Sequence, residues 1–398
     1  MDDPVVIVGA ARTPMGAFQG DFSSMSASDL GAVAIRAAIE RANLEPQRVD
    51  EVLFGNCLMA GQGQAPARQA AIKAGVPASA GAVTLSKMCG SAMKAAMMAH
   101  DAIVAGSSAV VVAGGMESMT NAPYLIPKAR GGYRIGHAMM YDHMMIDGLE
   151  DAYARDEKGG GRSMGTFAEE CAARYQFTRE QQDAYAMESV RRAQAATVDG
   201  FFKWEIAPVT VSGRGGETVI DKDEGPLKAK REKIPTLKPA FRKDGTITAA
   251  SSSSINDGAA ALVLMRESTA NELGCTPIAR ILGHATHAQA PEWFTTAPIG
   301  AIEKLYEKTG LKTKDVDLFE INEAFAAVPM AAMKEHGIAH EKINIHGGAC
   351  ALGHPIGASG ARIIVTLIGA LKKTGGRIGV AALCIGGGEA TAMAIELV

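Results

Sequence analysis

The chain opens on a short run of β-branched apolar residues, Val5-Val6-Ile7-Val8, closed by Gly9. Such a run has no polar face to turn to water, so it belongs in a sheet covered on both sides. Runs of this kind recur, each separated from the next by a helical pattern. Ser28 and Asp29 can cap an Ala/Ile/Leu-periodic helix over 28–42. A strand over 51–55, a helix over 65–74 and an extended run over 83–88 follow, the last leading straight into Cys89. A helix over 90–105 and a buried strand over 109–112 complete the series. Strands alternating with helices predict a parallel α/β sheet layered between helices.

The series returns near the other end of the chain. Strands are expected over 258–265, 278–284 and 318–321, helices over 301–310 and 324–336, and an extended run over 343–345. A helix over 359–373 and a strand over 378–382, running into Cys384, close it. Each half has a strand ending in Asn: Leu53-Phe54-Gly55-Asn56 and Leu318-Phe319-Glu320-Ile321-Asn322. In each, a helix, a strand-to-helix corner (at Cys89 or Gly348) and a strand running into glycines come after it. This echo points to duplication of one α/β unit, with the motifs of both halves beside a central pseudo-twofold axis. Between the halves the alternation lapses. Thr178, with Glu180 and Gln181 in the first turn, opens a helix over 178–196 there. Lys222 to Lys243 holds eight basic residues against three acids. We read 121–248 as an inserted loop domain, 1–120 with 249–277 as an N-terminal half, and 278–398 as a C-terminal half.

Composition removes several function classes. With 40 Lys+Arg against 43 Asp+Glu, the chain lacks the basic surplus of a protein that tracks nucleic-acid phosphates. At 47% hydrophobic residues it can bury a large core. Its longest apolar runs, such as 363–371, are far short of a membrane span. The six cysteines, at 57, 89, 171, 275, 350 and 384, form no C-x-x-C pair, so no zinc or thioredoxin signature is present. Scattered in this way they fit a reducing compartment. Met1-Asp2-Asp3-Pro4 has no basic n-region, so no signal peptide is expected and a cytoplasmic protein is.

Three segments carry candidate chemistry. Cys89 ends an extended run and opens a helix, where free N–H groups and the macrodipole favour a thiolate. A free Cys is as readily a small buried hydrophobe. His354, between Gly353 and Pro355, is held extended by the proline and suits a general base. Cys384 runs into Gly386-Gly387-Gly388, a turn able to aim successive N–H groups at one point, or simply to reverse the chain. His346, eight residues before His354, lacks the Gly-His-Pro setting. No third ligand stands near His284 and His287, or near His336 and His340, so these are expected to be core or surface residues.

Taken together the motifs resemble those of the thiolase family, over essentially the whole length. They are Ser86-Lys87-Met88-Cys89-Gly90-Ser91-Ala92, the stretch from Asn344 to Gly360 around Gly353-His354-Pro355, and Cys384-Ile385-Gly386-Gly387-Gly388. Ala10-Ala11-Arg12-Thr13-Pro14, Gly114-Gly115-Met116-Glu117-Ser118-Met119, Asn256-Asp257-Gly258-Ala259-Ala260-Ala261 and Asn322-Glu323-Ala324-Phe325-Ala326 add to them. The resemblance implies an α/β fold of duplicated layers, α-β-α-β-α, with the inserted segment binding coenzyme A. It implies that Cys89 takes the acyl group as a thioester, that His354 activates it, and that Cys384 is the second acid/base. Asn322 would hold a water that, with His354, stabilises an enolate oxygen, and the N–H groups of Cys89 and Gly386 would form a second oxyanion hole. Leu149, Met164, Ser253 and Phe325 would line the pantetheine path, with Phe241 and Ala324 near it.

The implied reaction joins two acetyl-CoA into acetoacetyl-CoA and CoA, with coenzyme A thioesters as substrates, no metal and no further cofactor. Degradative thiolysis of longer 3-ketoacyl-CoA chains uses the same residues, and a thiolase-like lipid carrier would lack one of them. The stretch from Tyr141 to Leu149 resembles the biosynthetic subgroup. A homo-oligomer, dimer or tetramer, is the family expectation. Ser163 stands where short-chain members often have His, Phe294 where a Met lies near the acyl pocket, His346 for an Asn and Ala92 for a Gly. Lys228 or Arg231 is expected to replace an Arg near the nucleotide phosphates.

Overall fold

The computed structural model describes residues 3–156, 159–213 and 215–398. Met1 and Asp2, part of the opening run, lie outside them. Nine strands lie side by side: β1 (Val5–Arg12), β2 (Glu51–Gly55), β3 (Gly81–Leu85), β4 (Val110–Ser118), β5 (Asn256–Arg266), β6 (Ala279–Ala288), β7 (Leu318–Ile321), β8 (Ile378–Ile385) and β9 (Glu389–Leu397). Their spatial order is β3-β2-β4-β5-β1-β6-β9-β8-β7. From β2 onward this order is a palindrome. β2-β4-β5-β1 is answered by β7-β8-β9-β6 read from the far end, as two copies of one unit meeting back to back require. The seam between them is thin: β1 and β6 share only the pairs Val6↔Arg280 and Ile7↔Ala279.

Eight longer helices cover the sheet: α1 (Ala27–Arg41), α2 (Pro66–Ala74), α3 (Ser91–Ala105), α4 (Met164–Tyr175), α5 (Arg179–Val198), α6 (Ala297–Thr309), α7 (Ala327–His336) and α8 (Ser359–Thr374). α1 and α2 cover the outer face of the N-terminal half-sheet, and α6 with α7 covers that of the C-terminal half. α3 and α8 pack on each other between the two half-sheets. This gives the five layers α-β-α-β-α. The central position explains α8, which is buried without interruption from Ser359 to Leu371. A helix that is apolar on every side has to be enclosed by other elements.

The structure corrects the sequence reading in three places. The sheet is mixed, since only β2–β3, β2–β4 and β7–β8 are parallel, and the remaining neighbours run antiparallel. β8 is not the last strand: the chain turns at 386–388 into β9, which pairs with both β8 and β6. β9 is Glu-Ala-Thr-Ala-Met-Ala-Ile-Glu-Leu, whose Ala, Glu and Leu content favours helix, and burial between two strands overrides that preference. α1 is capped two residues earlier than expected, by Ser26 in a reciprocal box with Asp29, while Ser28 is buried inside the helix.

The segment over 121–248 contributes α4, α5 and three two-stranded ladders, Tyr124–Leu125 with Tyr141–Asp142, Glu150–Arg155 with Gly161–Ser163, and Val209–Gly213 with Gly216–Ile220. Arg12, at the end of β1, anchors it. The buried guanidinium meets Glu205 at 2.6 Å and grips Asp223 through two nitrogens at 2.6 and 2.8 Å. A bidentate pairing of this kind fixes orientation as well as charge. Among the described residues, no helix is long and apolar enough to cross a membrane.

Candidate active site

Cys89 sits where β3 has ended and α3 has not begun. The turn is tight enough to force Met88 into the left-handed region, φ 45°, a conformation that costs a non-glycine residue about 1–3 kcal/mol. Ser91 holds the turn. Its hydroxyl accepts from the Lys87 N–H at 2.8 Å and donates to the Met88 carbonyl at 2.6 Å. The Lys87 ammonium pairs with Glu389, at the start of β9. Gly90 comes so close to Ile385, one residue after Cys384, that a Cβ on residue 90 would overlap the isoleucine side chain. The corner carrying the first thiol is thereby pressed against the strand end carrying the second.

Cys89 is half-buried. Burial pushes its thiol up to about 11, while the N–H groups of Gly386 and of Cys89 itself pull it back. The expectation of a more accessible thiolate at a helix start is therefore overturned. Desolvation of the charged sulfur outweighs the helix terminus.

His354 follows Gly353, which adopts φ 101° and whose Cβ would collide with the Asn256 side chain. The imidazole is buried, and burial with nearby Arg362 lowers it to about 3, so it is neutral at ordinary pH. Its Nδ1 lies 2.6 Å from the Ser359 hydroxyl, which is also 2.9 Å from the Pro355 carbonyl. When Ser359 donates to Pro355 it accepts from Nδ1–H, leaving a lone pair on Nε2. Turning that hydroxyl toward Nδ1 suits the other tautomer, in which Nε2 carries the proton. Nε2 is buried and has no hydrogen-bond partner among the described residues.

Asn322 follows β7, its amide nitrogen 3.4 Å from His354 Nδ1, and its Oδ1 is buried without a partner among the described residues. Cys384, near the end of β8, is fully buried, and burial first, then the charge of Cys89, raises its thiol well above the ordinary range.

Cys89, His354 and Gly386 line one small cavity of about 60 Å³, together with Leu149, Met164, Ser253, Phe294, Ala324 and Phe325. Leu149 is delivered by a π-helical turn, Met145–Leu149, and Met164 begins α4. Cys384 and Asn322 are buried and are not among its lining residues. The cavity continues into a second of about 260 Å³, which shares Leu149, Met164, Ser253, Phe325 and His354 and adds Phe241. Phe241 and Phe325 meet edge to face, with centroids 5.8 Å apart. A broader basin of about 610 Å³ adjoins at Ser163 and Phe241 and carries Arg155, Arg162 and Arg242.

Lys228 is placed elsewhere. Its ammonium pairs with Glu224 on the same short helix, and it lines none of these three cavities. The basic stretch is split, because Asp223 and Glu224 within it turn inward, and only its Arg242 end reaches the basin. His346 stacks on Phe201 with centroids 3.4 Å apart and lines none of the three cavities either. Sequence reasoning gave no role to two residues that shape the site. Ser359 orients His354 and was visible only as part of Gly-Ala-Ser-Gly. Glu117, fully buried, accepts from the Asn56 amide at 2.6 Å and from the N–H groups of Gly357 at 2.9, Cys57 at 3.0 and Leu58 at 3.1 Å. It thereby fixes the loop after His354.

Known proteins resemble this chain over its whole length. Residues 5–268 match the family model for the thiolase N-terminal domain, and 275–397 that for the C-terminal domain. Acetyl-CoA acetyltransferase 2 of Arabidopsis thaliana is 52% identical over 396 residues, 99% of this chain and 97% of its own. The Acat5 thiolase of Ascaris suum, solved in complex with coenzyme A, superposes with a TM-score of 0.92 at 44% identity, over 99% of this chain and 100% of that one. The Bacillus anthracis acetyl-CoA acetyltransferase does so with 0.95 at 41%, over 100% and 99%. From the first strand to the last, the chain belongs to the thiolase family.

Proposed function

We propose that this thiolase is an acetyl-CoA C-acetyltransferase, joining two acetyl-CoA into acetoacetyl-CoA and free CoA. The observation that carries the reading is that Cys89 and His354 line one cavity of about 60 Å³, with His354 Nε2 buried and without a hydrogen-bond partner among the described residues. Nε2 takes the thiol proton as the sulfur attacks the acetyl carbonyl carbon. The resulting oxyanion is met by the N–H groups of Cys89 and Gly386, and such a donor is worth about 2.7–4 kcal/mol in a well-studied protease. Collapse breaks the bond to the CoA sulfur, which leaves with the proton held on His354. Cys384, a thiol at rest, first gives its proton to water, and its thiolate then removes the α-proton of a second acetyl-CoA. His354 and a water held by Asn322 stabilise the enolate oxygen. The enolate carbon attacks the Cys89 thioester, and the departing Cys89 thiolate recovers the proton that Cys384 took.

The sequence of cavities supports the substrate. A narrow apolar end suits a small acyl group, a longer apolar passage suits pantetheine, and a basin whose three arginines outnumber Asp156 and Glu170 suits the phosphates, which would draw Arg162 and Arg242 away from Glu170. That basin, rather than Lys228, is our assignment for the nucleotide end. Phe294 closes the narrow end, packed edge to face on Phe167 with centroids 6.2 Å apart, which disfavours longer acyl chains. Turnover against 3-ketoacyl-CoA substrates of increasing length tests this. Cleavage of acetoacetyl-CoA should dominate and fall steeply with each added pair of carbons, and equal rates on six or more carbons would favour the degradative reading. All six cysteines are free, which supports a reducing compartment such as the cytoplasm. The open edge of β3, with Val83 exposed, supports a homo-oligomer.

A further inference from the structure

Helix α3 has Cys89 just ahead of its first residue and His100 and Asp101 toward its far end, about 16 Å further on at 1.5 Å per residue. The opposing strand, β6, belongs to the other half of the molecule and carries His284. Sequence reading found no third ligand near His284. The fold supplies two, from a position 183 and 184 residues away. His100 Nδ1, Asp101 Oδ1 and His284 Nε2 form a nearly equilateral triangle. His284 is 3.2 Å from His100 and 3.0 Å from Asp101, and the third edge is 3.1 Å. The imidazoles meet edge to face at 85°, and both are mostly buried, whereas Asp101 opens to solvent. Among the described residues, this is the one group of three such donors that converges so closely.

Hydrogen bonding alone serves the triangle poorly. One N–H on His284 Nε2 cannot point at both neighbours. If both imidazoles donate to Asp101, their N–H dipoles lie side by side 3.2 Å apart. A cation resolves this conflict. Donors on bonds of about 2.0–2.2 Å stand about 2.9 Å apart at right angles and about 3.4 Å apart at the tetrahedral angle, and the observed edges fall between. Two imidazoles with one carboxylate suit zinc and its neighbours rather than magnesium or calcium. The solvent side leaves room for water ligands. Lys308, whose ammonium donates to the His284 carbonyl at 3.1 Å, opposes the added charge from alongside.

We propose that His100, Asp101 and His284 bind a zinc-class divalent cation that ties the helix behind the nucleophile to the C-terminal half. The full chain carrying Cys89→Ala, so that the active-site thiol supplies no signal, is stripped with a chelator and titrated with Zn²⁺ alone. One ion per chain and a rise in Tm are expected, since a ligand bound only by the folded state stabilises it. Co²⁺ in its place should give the visible absorption of imidazole and carboxylate ligation. Asp101→Asn and His284→Ala, added to that background, should each weaken binding at least ~10-fold and remove the Tm rise. Asp101 is exposed, so its variant decides the matter if His284→Ala does not fold. Failure of the parent to bind Zn²⁺, or equal binding by Asp101→Asn, would overturn the proposal and leave a carboxylate that accepts from two imidazoles.

Discussion

The two halves of the molecule build the same corner and use it differently. In the N-terminal half β2 pairs with β4 at Gly55↔Gly115, and in the C-terminal half β7 pairs with β8 at Ile321↔Ala382. One residue beyond the first strand of each pair stands an asparagine, Asn56 or Asn322. Two residues beyond the matching position on the second strand stands Glu117 in one half and Cys384 in the other. At the N-terminal corner Asn56 donates to Glu117, and three backbone N–H groups fill that carboxylate's remaining acceptor positions, while Asn56 Oδ1, like Asn322 Oδ1, has no partner among the described residues. The C-terminal corner has a thiol, Cys384, where the carboxylate would be, and the Asn322 amide nitrogen lies 3.4 Å from His354 Nδ1 instead. Duplication supplied two equivalent places. One became an anchor through its carboxylate, and the other carries a thiol and an asparagine that reaches His354.

The largest effect expected is at the nucleophile: Cys89→Ala should reduce turnover by about 10⁴-fold or more and abolish radiolabelled acetyl-enzyme. Cys384→Ala should still form acetyl-enzyme from acetyl-CoA but condense ~10²–10⁴-fold more slowly. Equal loss of both half-reactions would remove the separate role given to the C-terminal corner. Because burial holds Cys89 near 11, its alkylation by iodoacetamide in the free enzyme should be about a hundredfold slower at pH 8 than that of an ordinary thiol of pKa about 8.5. The rate should keep climbing with pH through 10, and a plateau at or below 8.5 would restore the helix-start reading. Ser359→Ala should lower kcat about tenfold, with KM little changed, by freeing the imidazole from its tautomer-setting bond. The smallest effect on turnover is expected on the anchor side. Glu117→Gln sets an NH₂ against backbone N–H groups and should lower stability by about 1–3 kcal/mol, seen as a lower urea midpoint, with turnover in the folded fraction nearly unchanged. If it instead matched Cys384→Ala in lost turnover at full stability, the contrast between the corners would fail.

What is local was legible in the residues, and the structure brings Cys89 and His354 to one cavity while Cys384 is not among its lining residues. A strand end, a Gly-rich turn and a helix start lie within a few residues of Cys89, of His354 and of Cys384, so their placement at one end of the layers followed from short-range pattern. Properties that depend on distant parts of the chain did not follow. The basicity of Cys89 is set by what encloses it, and the helix start, which is local, pointed the other way. Lys228 belongs to a basic run whose acids, Asp223 and Glu224, turn inward, and Asp223 does so to meet Arg12 on the first strand. The partners of His284 come from α3, on the far side of the duplication. β9 was missed because its composition is helical and only its neighbours make it a strand.

The contact between Gly90 and Ile385 has a consequence for the whole molecule. It lies where the two half-sheets come together at the cleft, and there is less than a methyl group of clearance. A single added carbon at residue 90 would act as a wedge. It would have to push aside the Ile385 side chain, one residue from Cys384, and so disturb the spacing of the two thiols without changing the identity of any catalytic residue.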